Sequence, residues 1–345
     1  MKLTLNLLVL ALFTLLFVSC SDSPVTSGIN PREVYDYTVM DVLSIDSVNK
    51  ISAADENTLY TIKSFTNKVY KISNGTASPF DLQEPEFRAM DVHALSSNYI
   101  VFQGLHSSGD ERIKIYDNGV FRSYTSLYHI TYGGMSVLGK DHFISHATTS
   151  NLCFSMFKDG VFSLYTFPDS ARLSFAKIIN NEVHVFAINT LTYNSYYNYK
   201  ISGNELVRVN SFPAGNLIFN LEKDIVGVTN DPYQHSFSYF TGVNWNLIGM
   251  YTTYEVPEFS YRIVGSSKDY FVNLAIYADS ANTPYYLPTV WNGINFEKQK
   301  NFPKENFKPS FTSSTLYSEY NNNAFFIYRQ NTGSAKILKA KLRTQ

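Results

Sequence analysis

The sequence predicts an all-β fold assembled from repeats of about forty residues, and three observations carry that prediction. Tyr and Phe number 26 each, and aromatics make up 16% of the 345 residues; aromatic and β-branched side chains are the ones that fill a pleated, half-buried surface. Asn-Gly and Asp-Gly pairs recur between short apolar runs, and such pairs supply the positive φ angles of two-residue hairpin turns. The glycines of these turns are evenly spaced.

The clearest copies are Lys71-Ile72-Ser73-Asn74-Gly75, Ile115-Tyr116-Asp117-Asn118-Gly119-Val120-Phe121 and Met156-Phe157-Lys158-Asp159-Gly160-Val161-Phe162. Weaker ones stand at Ser202-Gly203-Asn204, Thr241-Gly242-Val243 and Trp291-Asn292-Gly293. The glycines at 75, 119, 160, 203, 242 and 293 are 44, 41, 43, 39 and 51 residues apart. Four short strands in such a period make one blade of a β-propeller.

Strands follow within each unit. The second unit reads as 90–95, 99–105, 113–116 and 121–124, and the third as 135–138, 142–146, 153–157 and 162–167. Second strands begin near Leu59, Tyr99, His142, Val183, Ile225, Tyr270 and Ala324, which counts seven units. The last has no room for a fourth strand before Gln345, and an open sheet edge is a liability. The alternating segment from Glu33 to Val39 precedes the first unit's own opening strand at Val48 to Ala53. It is expected to supply the missing outer strand, so that an N-terminal strand joins the C-terminal blade and closes a seven-bladed ring of four-stranded antiparallel blades. A six-bladed ring decorated by residues 307–342 is the competing count. A pair of β-sandwiches would not explain the period.

The N-terminus carries a different signal. Lys2 precedes an apolar run from Leu3 to Val18, broken only by Thr4, Asn6 and Thr14. That is the layout of a secretory signal and is short for a spanning helix. Phe17-Val18-Ser19-Cys20 resembles the lipobox of bacterial lipoproteins. The resemblance implies cleavage of residues 1–19 and diacylglycerol on the Cys20 sulfur, with Ser21 directing the product to the outer membrane. Residues 20–31 read as a flexible tether of Ser, Asp, Pro, Thr and Gly, and 32–345 as the propeller domain. Several acyl chains would hold the protein firmly, at about 0.8 kcal/mol per buried methylene.

Charge excludes one class of partner. With 28 basic and 29 acidic residues, net −1, no long-range field attracts nucleic acid. The chain has two cysteines, and lipidation of Cys20 leaves Cys153 no second cysteine for a disulfide. An alternating strand buries Cys153 as a small hydrophobe.

Nearly the whole mature chain resembles, in architecture, the bacterial seven-bladed propellers of the YVTN, kelch and WD40 kind. It has none of their signatures: no Gly-His to Trp-Asp pairing, no paired-Gly kelch motif, no NHL-type repeat. Neither a catalytic constellation nor a cofactor or metal site is legible. His142 and His146 lie four apart on a strand, about 13 Å from each other, too far to share an ion. Ser-x-Asp-x-Gly-x-Thr-Trp and Gly-x-Ser-x-Gly boxes are absent, and no acidic pair stands out for glycoside hydrolysis.

Function therefore falls to the loops. The connections 105–112, 189–195, 229–235 and 277–284 exceed what a hairpin needs. They offer His106, Asp110, Arg112, Tyr193, Asp231, Tyr233 and His235 as ligand-binding candidates; Asp91, His93 and Arg262 are the channel-lining candidates. The expectation is a monomeric, lipid-anchored envelope module that binds a protein or glycan and needs no cofactor. The alternative is an envelope polysaccharide hydrolase or lyase.

Overall fold

A computed structural model describes residues 35–41, 50–63, 66–126, 130–147, 152–192, 195–212, 216–221, 223–230, 234–252, 263–278, 284–291, 293–294, 296–298, 317–320, 323–329 and 335–342. Cys20, the signal segment and the tether lie outside them, as do Tyr193, Asp231, Tyr233 and Arg262. Every regular element among the described residues is a β-strand, and the strands form antiparallel four-stranded sheets.

After β1 (Tyr35–Asp41), five consecutive meanders follow the chain. The first is β2 (Lys50–Ala53), β3 (Thr58–Ile62), β4 (Val69–Ser73) and β5 (Thr76–Pro79). The second is β6 (Arg88–Ser96), β7 (Tyr99–Leu105), β8 (Glu111–Asp117) and β9 (Val120–Thr125). The third is β10 (Ile130–Gly139), β11 (His142–Ala147), β12 (Cys153–Lys158) and β13 (Val161–Thr166). The fourth is β14 (Ala171–Ile179), β15 (Glu182–Asn189), β16 (Tyr196–Ser202) and β17 (Glu205–Phe212). The fifth is β18 (Asn216–Asn220), β19 (Ile225–Asn230), β20 (Gln234–Phe240) and β21 (Trp245–Thr252). Further on, β22 (Ile263–Ser267), β23 (Tyr270–Ala278), β24 (Pro284–Trp291) and β25 (Phe296–Lys298) pair in sequence. Finally β26 (Tyr317–Tyr320), β27 (Asn323–Arg329) and β28 (Ala335–Leu342) pair in sequence, with β1 beside β28 in register from Tyr35↔Leu342 to Asp41↔Lys336.

The turn chemistry explains the hairpins. Asn74-Gly75, Asn118-Gly119 and Asp159-Gly160 have φ of 48° and 81°, 50° and 91°, and 49° and 89°. Two successive positive φ angles define the type I′ turn, whose twist matches that of the strands it joins. The β14–β15 hairpin uses Asn180-Asn181, at 50° and 65°, because Asn tolerates the left-handed region.

Neighbouring sheets pack face to face. Ile62, Val69, Phe87, Ile100 and Phe102 form one buried cluster between the first and second sheets. Val101, Ile113, Met135, Phe143 and Phe157 form another between the second and third. Hydrogen bonds one repeat apart pin the register between sheets. The Ala94 amide donates to Ser52 Oγ (2.8 Å, 42 residues apart) and the Ala176 amide to Ser136 Oγ (3.0 Å, 40 residues apart). Tyr60 Oη donates to the Ser97 carbonyl (3.4 Å), and Tyr99 Oη donates to Asp141 Oδ1 (2.9 Å) while accepting from the Asp141 amide (2.8 Å). Burial pushes the Tyr99 phenol up to about 12; the Asp141 amide works against the rise and the Asp141 carboxylate adds to it. Tyr99→Phe keeps the ring and removes both bonds, so urea unfolding should show a loss of about 1–2 kcal/mol; an unchanged midpoint would contradict this tie.

At the other end of the chain, Lys339 Nζ on β28 donates to the Glu56 carbonyl (2.5 Å) and Asn57 Oδ1 (3.2 Å), in the β2–β3 turn of the first sheet. The innermost strands β2 and β26 are also in contact.

Candidate functional site

In a meander, the first-to-second and third-to-fourth connections share one end of the sheet. The second-to-third connections and the linkers between sheets share the other, the loop face. At the second sheet the loop face consists of the linker 80–87 and the β7–β8 connection, residues 106–110.

The linker is anchored by Phe87, which is fully buried against Gly104 of β7. A Cβ on Gly104 would stand 2.4 Å from the Arg88 carbonyl oxygen and 2.6 Å from the Phe87 ring. Only glycine lets the ring lie on the strand. Gln83, at φ 56°, turns the chain back, and the Phe87 amide donates to the Glu84 carbonyl (3.0 Å).

Those constraints place Glu84 over the face of β8 that looks at the first sheet. Arg112 Nη1 pairs with Glu84 Oε1, and Lys114 Nζ with Oε2 at 2.6 Å. Lys114 is nearly sealed from solvent and also lies 5.2 Å from the centre of the Phe121 ring. Burial works to raise the Glu84 carboxyl, but the Lys114 and Arg112 contacts outweigh it and hold it below its ordinary value. Glu86 accepts from Ser107 Oγ (2.6 Å) and pairs with His106 Nε2 (3.1 Å); His106 Nδ1 meets Ser108 Oγ (2.8 Å), which in turn donates to Asp110 (2.7 Å). His106, Asp110 and Arg112 thus come together, although Arg112 belongs to β8 rather than to the loop.

Beside this network the loop face carries a cleft of about 420 Å³. Asn67, Lys68 and Tyr70 form one wall; Pro79, Asp81 and Pro85 form the other. Pro79 ends β5 and Pro85 lies in the linker, where its carbonyl accepts from Asn67 Nδ2 across the cleft (3.4 Å).

On β6, the strand that opens the second sheet, Asp91 is buried and joins three sheets. Its Oδ2 accepts from the Met135 amide of β10 (2.9 Å) and meets His93 Nε2 (3.3 Å), while Oδ1 lies 3.6 Å from Lys50 Nζ of β2. Burial works to raise its carboxyl, but His93, Lys50 and the Met135 amide hold it down at about 2. Gly134, at φ 89°, brings the backbone this close: a Cβ there would stand 3.1 Å from Asp91 Oδ2.

Two sequence expectations are corrected. His235 is not an exposed loop residue. It lies in β20, paired with Asn230 and Tyr251, and is 4% exposed because the strand alternation that buries Phe237 buries it too. Asp91 does not line an open channel: at 4% exposure it is an interior tie between sheets, with His93 partly exposed beside it. His142 and His146 both lie on β11, and among the described residues no group of His, Cys, Asp or Glu is arranged to hold a metal.

Sequence reasoning missed Glu84, Lys114, Lys50, Gln103 and Glu111. For Gln103 and Lys114 the readable signal was a polar residue inside an otherwise apolar run, as in Tyr99-Ile100-Val101-Phe102-Gln103 and Arg112-Ile113-Lys114-Ile115. Glu111 is 6% exposed, and burial alone pushes its carboxyl up to about 8. A folded value above the ordinary 4.5 means that this contribution to stability is fully present below pH 4.5 and is lost as pH rises through about 8. Glu111→Gln should flatten the fall in unfolding free energy between pH 5 and pH 8; parallel profiles for the two proteins would contradict the assignment.

No protein-family model matches the chain, and neither does any curated protein. Solved structures do match. A structure of YCF48 bound to D1 peptide is 11% identical, with a TM-score of 0.53, covering 90% of this chain and 96% of that one. The β-propeller domain of Cps50 (Swd1) from Myceliophteria thermophila is 7% identical, with a TM-score of 0.57, covering 89% of this chain and all of that one. A chain of the Mitotic Checkpoint Complex is 9% identical, with a TM-score of 0.55, covering 89% and 95%. At these identities the likeness is one of fold: the chain is an all-β protein of repeated four-stranded blades with the β-propeller fold.

Proposed function

We propose that this chain is an exported, lipid-anchored envelope protein whose seven-bladed ring, closed by β1 against β28, is a platform that binds an extended segment of a partner protein on its loop face. The observation that carries the reading is the cleft between residues 67–70 and 79–85, buttressed by the Glu84, Arg112 and Lys114 ion pairs. A groove of mixed apolar and polar lining suits a peptide, and one propeller of similar fold was solved with a peptide bound.

Peptide display against the full chain in detergent tests the binding. Selected segments should lose at least about tenfold in affinity when Tyr70→Ala removes one wall, a loss of about 1.4 kcal/mol. Binding to a glycan array with no peptide selected would overturn the reading.

Anchoring is tested separately. Cys20→Ser should move the protein from the membrane fraction to the soluble one and abolish palmitate incorporation. Failure of the parent to label would remove the anchor.

A further inference from the structure

We propose that the seam between the second and third sheets, at its loop-face end, is a pocket for a neutral amide: the side chain of an Asn or Gln in the bound segment, held by Gln103 and Glu111. This rests on the reading that a protein segment docks on the loop face.

Strand alternation places Val101, Gln103, Glu111, Ile113 and Ile115 on the side of the second sheet that packs against the third, where Val101, Ile113 and Ile115 meet Met135, Phe143 and Phe157. Gln103 and Glu111 sit diagonally across adjacent strands, Gln103 opposite Ile113 and Glu111 opposite Leu105. Diagonal neighbours are within reach of long side chains. On the facing sheet, Ser145, the register partner of Met135, bonds Ser155 at 3.0 Å, and both hydroxyls are buried.

Gln103 is 2% exposed, and neither its amide nitrogen nor its oxygen makes a hydrogen bond; Glu111 Oε2 is buried and likewise unpartnered. Buried polar groups in native proteins are nearly always bonded, and each one left bare carries a substantial desolvation penalty. Three such atoms on one face, next to the β7–β8 connection, mark a place built to meet something polar.

The chemistry selects the class. An apolar group would leave all three atoms bare. An anion would have to be buried with no free cation beside it, because Lys50 and His93 already face Asp91, the register partner of Gln103. A cation could pair with an ionised Glu111 but accepts no hydrogen bond and would leave the Gln103 NH2 bare. The raised carboxyl of Glu111 keeps it a neutral donor and acceptor. A carboxamide satisfies the whole set: its oxygen accepts from the Gln103 amide or the Glu111 hydroxyl, and its NH2 donates to Gln103 Oε1.

The test is a titration of the 15N-labelled full chain in detergent micelles with acetamide, and in parallel with acetate and methylammonium. The expected result is a saturable shift of the Gln103 side-chain resonances with the amide alone. In Gln103→Leu, followed through neighbouring backbone resonances, the affinity should fall about tenfold for each bond lost. Glu111→Gln, which remains neutral and able to donate and accept, should retain binding. Four outcomes would overturn the proposal: no saturable response in the unsubstituted chain, an equal response to acetate or methylammonium, undiminished affinity in Gln103→Leu, or an ordered water alone at Gln103. Peptide display separates this pocket from the platform itself. Segments selected equally well by Gln103→Leu, without Asn or Gln enrichment, would sink the pocket and leave the platform; amide binding with no segment selected would do the reverse.

Discussion

Asp91→Ala should lower the unfolding free energy by about 3–5 kcal/mol, the usual result of removing one partner from a buried charged group. The carboxylate ties β2, β6 and β10 together, and its loss leaves the Met135 amide bare and Lys50 without its counter-ion. The sign of the acid dependence follows from its depressed folded value. Held at about 2 against an ordinary 3.8, the ionised form contributes stability that is fully present above pH 3.8 and is lost as pH falls towards 2. The amount is about 2 kcal/mol. Urea unfolding at pH 7 and pH 3 should therefore show a wild-type acid penalty that Asp91→Ala lacks. A variant within about 0.5 kcal/mol of wild type at pH 7 would contradict the tie, since that is the range of an indifferent surface change.

The second large effect belongs to Phe87 and Gly104. Phe87→Ala should cost about 3–5 kcal/mol through the cavity left in the first inter-sheet cluster. It should also loosen the linker that carries Glu84, so selected peptides should bind more weakly as well. Gly104→Ala should cost about 1–3 kcal/mol by overpacking, because its Cβ would stand 2.4 Å from the Arg88 carbonyl oxygen and 2.6 Å from the Phe87 ring, and only the second of these clashes is relieved when the ring is removed. In the double variant the methyl occupies part of the space the ring vacated, so the two losses should sum to less than their separate values. Strict additivity in a double-mutant cycle would mean that the ring and the glycine do not depend on each other.

Much of this architecture was readable because hairpin turns are a local matter. Asn74-Gly75, Asn118-Gly119 and Asp159-Gly160 need no tertiary help to reverse the chain, and their spacing alone sets the repeat. Strand alternation likewise placed β7 at Tyr99–Leu105, while the expected strand from 33 to 39 lies two residues further on, at Tyr35–Asp41. The site was less readable. Glu84 meets Arg112 and Lys114 across 28 and 30 residues, through a linker whose path depends on a glycine in a different strand. His235 looked like a loop residue because its neighbours are polar, yet a strand's parity, and not its polarity, decides what it buries. Gln103 stood in plain sight inside an apolar strand, whereas Glu111 opens β8 directly after a polar loop; reading either required knowing which sheet packs on which face.

Closure of the repeats through the two ends of the chain, as proposed, can be tested directly. Thr38 and Lys339 are register partners in β1 and β28, so cysteines at these positions, in a chain with Cys20 and Cys153 replaced by Ser and Ala, should form an intramolecular disulfide under mild oxidation. Relative to the same chain reduced, which equally lacks the Lys339 bonds to Glu56 and Asn57, the bond should raise the thermal midpoint by constraining the unfolded chain over nearly its whole length. A pair of cysteines that stays reduced in the folded protein, or that links only between molecules, would show that head and tail do not share a blade.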